Sequence, residues 1–370
     1  MKKIFSYLAI AVGAIMLAAC NPSEQLTPAT SKTQLWPAGS NTSEYFGYIN
    51  AKGEMVIKPQ FNAANNFSCG LAAVRKNDSW YYINEKGETV SSPYNYAYDF
   101  RYNFAGVGNE FDHWYLINKS FEEVLPDYYA IGDMTADGLV FAQKKESSKY
   151  GYYDKNGKCV LDPIYEDAFN FIDGLARVFV GDACGVIDTK GEMVITPSTQ
   201  FTYFPDSEKV IQVYDPSSGD YGLIDRNGNE IAPIMYDDVP WFFSEGLLVV
   251  EKNGKYGYID NKGKEVIAFQ YDNAYSFQNG VAWVKKNDVW SVIDTKGSTL
   301  FSVYDTILDD GNLYFTNDLS LVMIPKGNAY FENRYYNKKG EIVYSWTYED
   351  EEHPIALSPR LSAKPHAIRR

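Results

Sequence analysis

A five-residue signature recurs nine times along this chain. Its plainest copy is Tyr256-Gly257-Tyr258-Ile259-Asp260, continued by Asn261-Lys262-Gly263. Asn or Asp anchors stand at 50, 84, 118, 154, 188, 225, 260, 294 and 337, at steps of 34, 34, 36, 34, 37, 35, 34 and 43 residues. A period of this length marks a repeat architecture, because one such unit cannot bury its apolar face alone and must stack on its neighbours. Eight anchors are followed three residues later by Gly, which supplies the positive φ of a tight hairpin turn. The third unit carries Phe121 there, so a different turn is expected.

Within a unit the apolar residues alternate with a period of two, the signature of strands. Ala72/Val74, Ala176/Val178, Leu248/Val250 and Ala282/Val284 form a constant apolar face. The opposite position varies (Ala73, Arg177, Val249, Trp283) and reads as an outer or groove surface. Pro59, Pro93, Pro126, Pro163, Pro197 and Pro233 follow the next strand, where a residue without an N–H suits a strand end or sheet edge. Thirty-one Tyr, 21 Phe and 7 Trp add to the strand preference. The reading is all-β: a tandem array of about nine three-stranded meanders of 34–36 residues, propeller-like or an open solenoid, over residues 44–345.

Residues 1–19 read as a lipoprotein signal peptide. Lys2 and Lys3 precede the apolar run Ile4 to Ala19, whose roughly 24 Å helical length falls short of a ~30 Å hydrocarbon core. The run ends Leu17-Ala18-Ala19-Cys20, which resembles the lipobox of bacterial lipoproteins. By that resemblance Cys20 is lipidated, and the chain is anchored to a membrane of the bacterial envelope, the outer membrane being the expected one. Residues 20–43 are rich in Ser, Thr, Pro and Asn and read as a flexible tether. Residues 346–370, with Glu349-Asp350-Glu351-Glu352, read as a tail.

The units resemble bacterial WG repeats, carried by Tyr256-Gly257-Tyr258-Ile259-Asp260, Lys262-Gly263 and Phe277-Gln278-Asn279-Gly280. No literal Trp-Gly pair occurs: Trp80, Trp114 and Trp290 are followed by Tyr81, Tyr115 and Ser291. The resemblance implies binding or scaffolding and offers no catalytic residues.

A net charge of −14 opposes nucleic-acid binding. Three His leave little scope for imidazole catalysis, and neither a metal site nor a cofactor is expected. Turns such as Asp154-Lys155-Asn156-Gly157 carry Lys where a calcium loop needs oxygen ligands. Cys159 and Cys184 occupy strand slots held elsewhere by large apolar side chains and are expected to be buried fillers, while Cys69 leaves the count odd. No nucleophile elbow, zinc helix or phosphate loop is found, so no catalysis is expected. The leading expectation is a membrane-tethered scaffold for envelope proteins. The alternative is a glycan-binding lipoprotein using aromatics that break the repeat, namely Trp241, Trp283, Tyr98 and Tyr102. A hydrolase on a propeller-like fold stands third.

Overall fold

A computed structural model describes residues 34–349, apart from 111–112, 241, 310–312 and 327–329. The described residues form 32 strands and no helix, and each strand pairs antiparallel with its neighbour in sequence, so no connection crosses a sheet. Eight sheets result: three of three strands, four of four strands and one of seven. Where a fourth strand is present it is short and comes first, as Asn273–Ala274 does before Val281–Lys286, Val289–Asp294 and Thr299–Val303. The expected three-stranded meander is therefore a minimum. The extra strand is only two residues long there, too brief for a period-two pattern to announce it.

All nine anchors close the same turn, and their side chains explain why they are Asn or Asp. At Asp260 the backbone N donates to the Lys264 carbonyl (2.9 Å) and Gly263 N donates to the Asp260 carbonyl (3.0 Å). The carboxylate Oδ1 accepts from the N–H groups of Lys262 and Lys264, both at 2.9 Å. An acid or amide two atoms from the backbone satisfies turn donors that would otherwise face water. Each Asn anchor is followed four residues on by Glu, to which its Nδ2 donates, as Asn84 does to Glu88 at 2.7 Å. The third unit's turn does not differ: Phe121 holds φ at 62° and donates to the Asn118 carbonyl at 2.9 Å. Its ring lies 5.9 Å from that of Tyr82 and 6.2 Å from that of Phe100, so packing offsets the left-handed strain.

Several turns lean on the outer strand of the preceding unit. A Cβ on Gly87 would stand 2.9 Å from Ile57 Cγ2, and one on Gly263 2.9 Å from the Ile231 carbonyl oxygen. Gly53, in the first sheet, makes the equivalent approach to the Val343 carbonyl, in the last. The array therefore closes on itself. Trp36 Nε1 donates to the Thr316 carbonyl (2.8 Å), and Tyr335 OH to the Pro37 carbonyl (2.8 Å). One apolar cluster holds Trp36, Phe46 and Tyr48 together with Leu319, Tyr335 and Trp346.

Closure moves two boundaries. Trp36–Ser40 is a core strand inside the segment expected to be tether, and Ile342–Glu349 is a strand running into the expected tail. Leu35-Trp36 and Tyr344-Ser345-Trp346, apolar pieces inside otherwise polar stretches, mark the two. The signal peptide, residues 20–33 of the tether and residues 350–370 of the tail lie outside the described residues.

Sheets stacked radially are covered on both faces, so the variable face is no groove. Ala73, Arg177, Val249 and Trp283 are 1, 8, 0 and 0% exposed. The glycine of the signature has its own reason. Tyr256 pairs with Tyr271 and Tyr258 with Ile267, so the outer strand spends two extra residues crossing Gly257. The same bulge crosses Gly47, Gly151 and Gly222, with Pro59, Pro163 and Pro233 inside it. Ser291 replaces this glycine, and there the outer strand pairs in register, Ser291 opposite Ser302 with hydroxyls 2.8 Å apart.

Candidate functional site

Of the four aromatics expected to bind, the structure clears one for contact. Trp283 is core: its Nε1 donates to Ser320 Oγ (2.8 Å), and its ring packs edge-on against Phe301 at 5.6 Å. It breaks the repeat because the neighbouring sheet offers it a pocket, not because it faces solvent. Tyr102 packs with Met134, Leu116 and Leu125. Trp241 and Cys20 lie outside the described residues. Tyr98 alone joins a partly open group, stacked on Trp114 at 4.9 Å and 8°.

That group is an aromatic platform in the third unit. Strands Tyr96–Ala97, Phe104–Glu110 and His113–Asn118 bring Tyr96 and Trp114 to either side of Gly108. Tyr96 is 42% exposed and its ring lies 5.7 Å from that of Trp114. A Cβ at Gly108 would lie 3.3 Å from Trp114 Cε3, and one at Gly106 3.1 Å from Tyr98 Cδ2. Two glycines thus seat two rings. Sequence reasoning missed Tyr96 and Trp114 because Trp114 stands at a regular repeat position. The usable signal was Gly106-Val107-Gly108, where other units carry Ala73 and Arg75 or Arg177 and Phe179.

A charged edge adjoins the platform. His113 Nδ1 lies 2.6 Å from Asp127 Oδ1, Lys145 Nζ 3.1 Å from the same oxygen, and His113 Nε2 3.4 Å from Glu110. The Lys145 ammonium, then His113, hold the Asp127 carboxyl below its usual range. Flat rings beside mixed charge suit recognition of a partner surface.

Polar groups elsewhere stitch neighbouring units together. Arg177 lies with its guanidinium 3.6 Å from the centre of the Phe169 ring and 4.6 Å from that of Phe204. Asn65 Nδ2 donates to Asp99 at 2.9 Å, across the boundary between two units. Asp206 is fully buried and accepts from Gln212 Nε2 (2.7 Å) and Phe243 N (3.0 Å), and burial pushes its carboxyl up to about 6. Cys69 and Cys184 are buried, whereas Cys159, expected to be a filler, is exposed on an outer strand that has no sheet beyond it. All three thiols are free.

The buried acid makes stability depend on pH. A carboxyl whose folded value lies above its ordinary 3.8 stabilises the fold while protonated, and that contribution is lost as pH rises through about 6. The difference corresponds to about 3 kcal/mol. Glu332 has the opposite sign: Arg334 and Lys326 hold it down to about 2, so its contribution disappears as pH falls from 4.5 toward 2. Calorimetry across pH 3–8 is expected to place the highest melting temperature near pH 4–5. Asp206→Asn should flatten the fall between pH 4 and 6; an unchanged slope would remove Asp206 as its source.

Five segments, residues 46–80, 82–110, 150–182, 221–256 and 256–290, match the family model described as WG containing repeat. No curated protein matches the chain in sequence. Among solved structures, the chain is similar to one described as the crystal structure of the eukaryotic initiation factor. The identity is 11%, coverage is 86% of this chain and 97% of that one, and the TM-score is 0.61. It is more distantly similar to dihydro-heme d1 dehydrogenase NirN in complex with DHE, at 12% identity, 88% and 76% coverage and a TM-score of 0.45. BamB from Moraxella catarrhalis follows at 10% identity, 86% and 95% coverage and a TM-score of 0.37. At 11% identity the first of these likenesses is one of fold alone.

Proposed function

We propose that this WG-repeat chain is a closed ring of nine units serving as a protein-interaction scaffold, held at the bacterial envelope by a lipid on Cys20. The observation that carries the reading is the platform of Tyr96, Tyr98 and Trp114 with its charged edge. Other tyrosines are as exposed (Tyr45, Tyr129, Tyr304 and Tyr330), but Tyr96 belongs to a ring cluster, set against Trp114, which stacks on Tyr98. Aromatic side chains that are rigid, partly exposed and rimmed by charge are the usual anchors of protein interfaces. No catalytic step is assigned to the chain. Its role is to hold an envelope partner at a distance from the membrane set by the tether.

The test is photocrosslinking from position 96 in native envelopes, followed by mass spectrometry of whatever is captured. One stoichiometric protein partner is expected, and Trp114→Ala should weaken its binding about 30-fold, the effect of a hot-spot residue. A partner that binds the Trp114→Ala chain as tightly as the parent would sink the platform reading. Capture of oligosaccharide with no protein would turn the reading toward a glycan.

A further inference from the structure

The chain enters the ring at the end where its anchor turns lie. Trp36 pairs with Ile49, next to the anchor Asn50, whereas Ser40 and Ser43 close the first hairpin at the other end. The platform's charged edge stands at that other end, because Glu110 pairs with His113 there while Phe104 pairs with the anchor Asn118. The two ends of the ring are therefore different surfaces.

Around the entry point the anchor turns share a chemistry. Lys262, Lys296, Lys339, Lys52 and Lys86 each stand two residues after an anchor, in the seventh, eighth, ninth, first and second units, and all are exposed. These units are consecutive in the closed ring: Gly297 approaches Ile267, Gly340 approaches Phe301, Gly53 approaches Val343 and Gly87 approaches Ile57. The lysines thus form a crescent that contains the entry point. The other four units hold Ser120, Asn156, Lys190 and Asn227 at the same place. No crescent lysine forms an ion pair among the described residues, whereas the neighbouring Lys338 pairs with Asp318.

From each anchor to the fourth residue after it, these five turns carry seven lysines and six acids, in a chain of net charge −14. Five of the acids are tied back to the turns. Asp260 and Asp294 cap their own backbones, and Glu54, Glu88 and Glu341 accept from their Asn anchors. Only Glu85 is not held in this way. The same five units also carry an exposed aliphatic at the start of the outer strand: Val266, Leu300, Ile342, Val56 and Val90, all 38–50% exposed. The equivalent Val124, Val160, Val194 and Ile231 are half-buried, although Met193 beside Val194 is exposed. Ammonium groups on apolar stems, set beside exposed aliphatics, match the boundary between lipid headgroups and acyl chains.

We propose that this crescent rests on an anionic phospholipid surface, the bilayer that holds Cys20, with the platform's charged edge turned away from it. The proposal rests on the lipid tether of the scaffold reading and gives that reading an orientation. A tether confines the ring near the bilayer, and basic residues at an anionic surface add an attraction that decays within about 10 Å. A chain of net negative charge therefore docks through the end that carries its unpaired lysines.

The test places a photoreactive residue at 56 or 300, in the crescent, and at 76 or 286, beside hairpins at the other end. The full chain is reconstituted into vesicles of phosphatidylethanolamine with phosphatidylglycerol, and into vesicles of phosphatidylcholine alone. In the anionic vesicles, phospholipid capture from 56 and 300 is expected to exceed that from 76 and 286 by about fivefold. It should fall several-fold in phosphatidylcholine, at about 0.5 M salt, and in the triple variant Lys52→Glu, Lys296→Glu, Lys339→Glu, whose melting temperature should match the parent's. Equal capture from both ends overturns the proposal, as does capture indifferent to lipid charge and to lysine reversal. Capture of a protein in place of lipid from 56 and 300 in native envelopes would also overturn it. The mass of the N-terminal peptide reads the lipid on Cys20 separately. Crescent-selective capture without that lipid would keep the surface and remove the anchor, while a lipidated chain with no preference between the ends would do the reverse.

Discussion

Trp36→Ala is expected to destabilise the protein by about 4 kcal/mol and to unfasten the array between its first and last sheets. Replacing a fully buried Trp by Ala removes its transfer energy and leaves a cavity, together costing about 3–5 kcal/mol. Trp36 is 1% exposed, and its Nε1 donates across the seam to the Thr316 carbonyl. Its loss therefore also strips a partly buried carbonyl of its donor. The comparison is Trp290→Ala, since Trp290 is 2% exposed but packs in a cluster that holds no residue of the first sheet. Urea unfolding should show comparable losses for both, while small-angle scattering should show a larger radius of gyration for Trp36→Ala alone. Equal dimensions for the two variants would mean that the seam does not depend on this side chain.

The second large effect belongs to the signature glycine. Gly47→Ala is expected to cost 3 kcal/mol or more, because its Cβ would fall inside contact distance of the Ile57 carbonyl and against Pro59 N. These are backbone atoms of the bulged outer strand, and they cannot swing aside as a side-chain tip would. Ser291→Ala is the control. Its position already carries a Cβ and its outer strand does not bulge opposite it, so the loss should be limited to one partly buried hydroxyl pair, about 1 kcal/mol. Thermal unfolding of the two variants gives the comparison; a Gly47→Ala chain as stable as Ser291→Ala would show that the bulge relaxes freely.

The repeat, its all-β character and its turn positions were legible in the sequence because each rests on local chemistry. An Asx side chain caps its own turn, glycine takes positive φ, and alternation reports a strand. Two inferences failed for a common reason. The variable face around Arg177 and Trp283 was read as a surface because variation often marks exposure. In a closed ring, each sheet meets a different neighbour, so variation records complementary packing between units. Phe121 was read as a changed turn, yet the ring contacts it makes are worth keeping an uncommon backbone conformation. The platform and the seam depend on residues distant in sequence or hidden at regular positions. Tyr96 and Trp114 meet over Gly108, while Trp36 reaches the Thr316 carbonyl from 280 residues away. No spacing rule links such residues before the ring is closed.

Closure also sets an order of assembly. A ribosome releases Trp36, Tyr48 and their companions in the first sheet well before it releases Thr316, Tyr335 and Trp346. At roughly 5–20 residues per second, the chain needs about 15–60 s to supply the partner surface. Throughout that interval the face of the first unit that will meet the last stays uncovered. The middle units can stack as they emerge, each on the one before. The newborn protein is thus a growing stack with one persistent sticky end, and it stops being vulnerable to mispairing only when its final strand arrives.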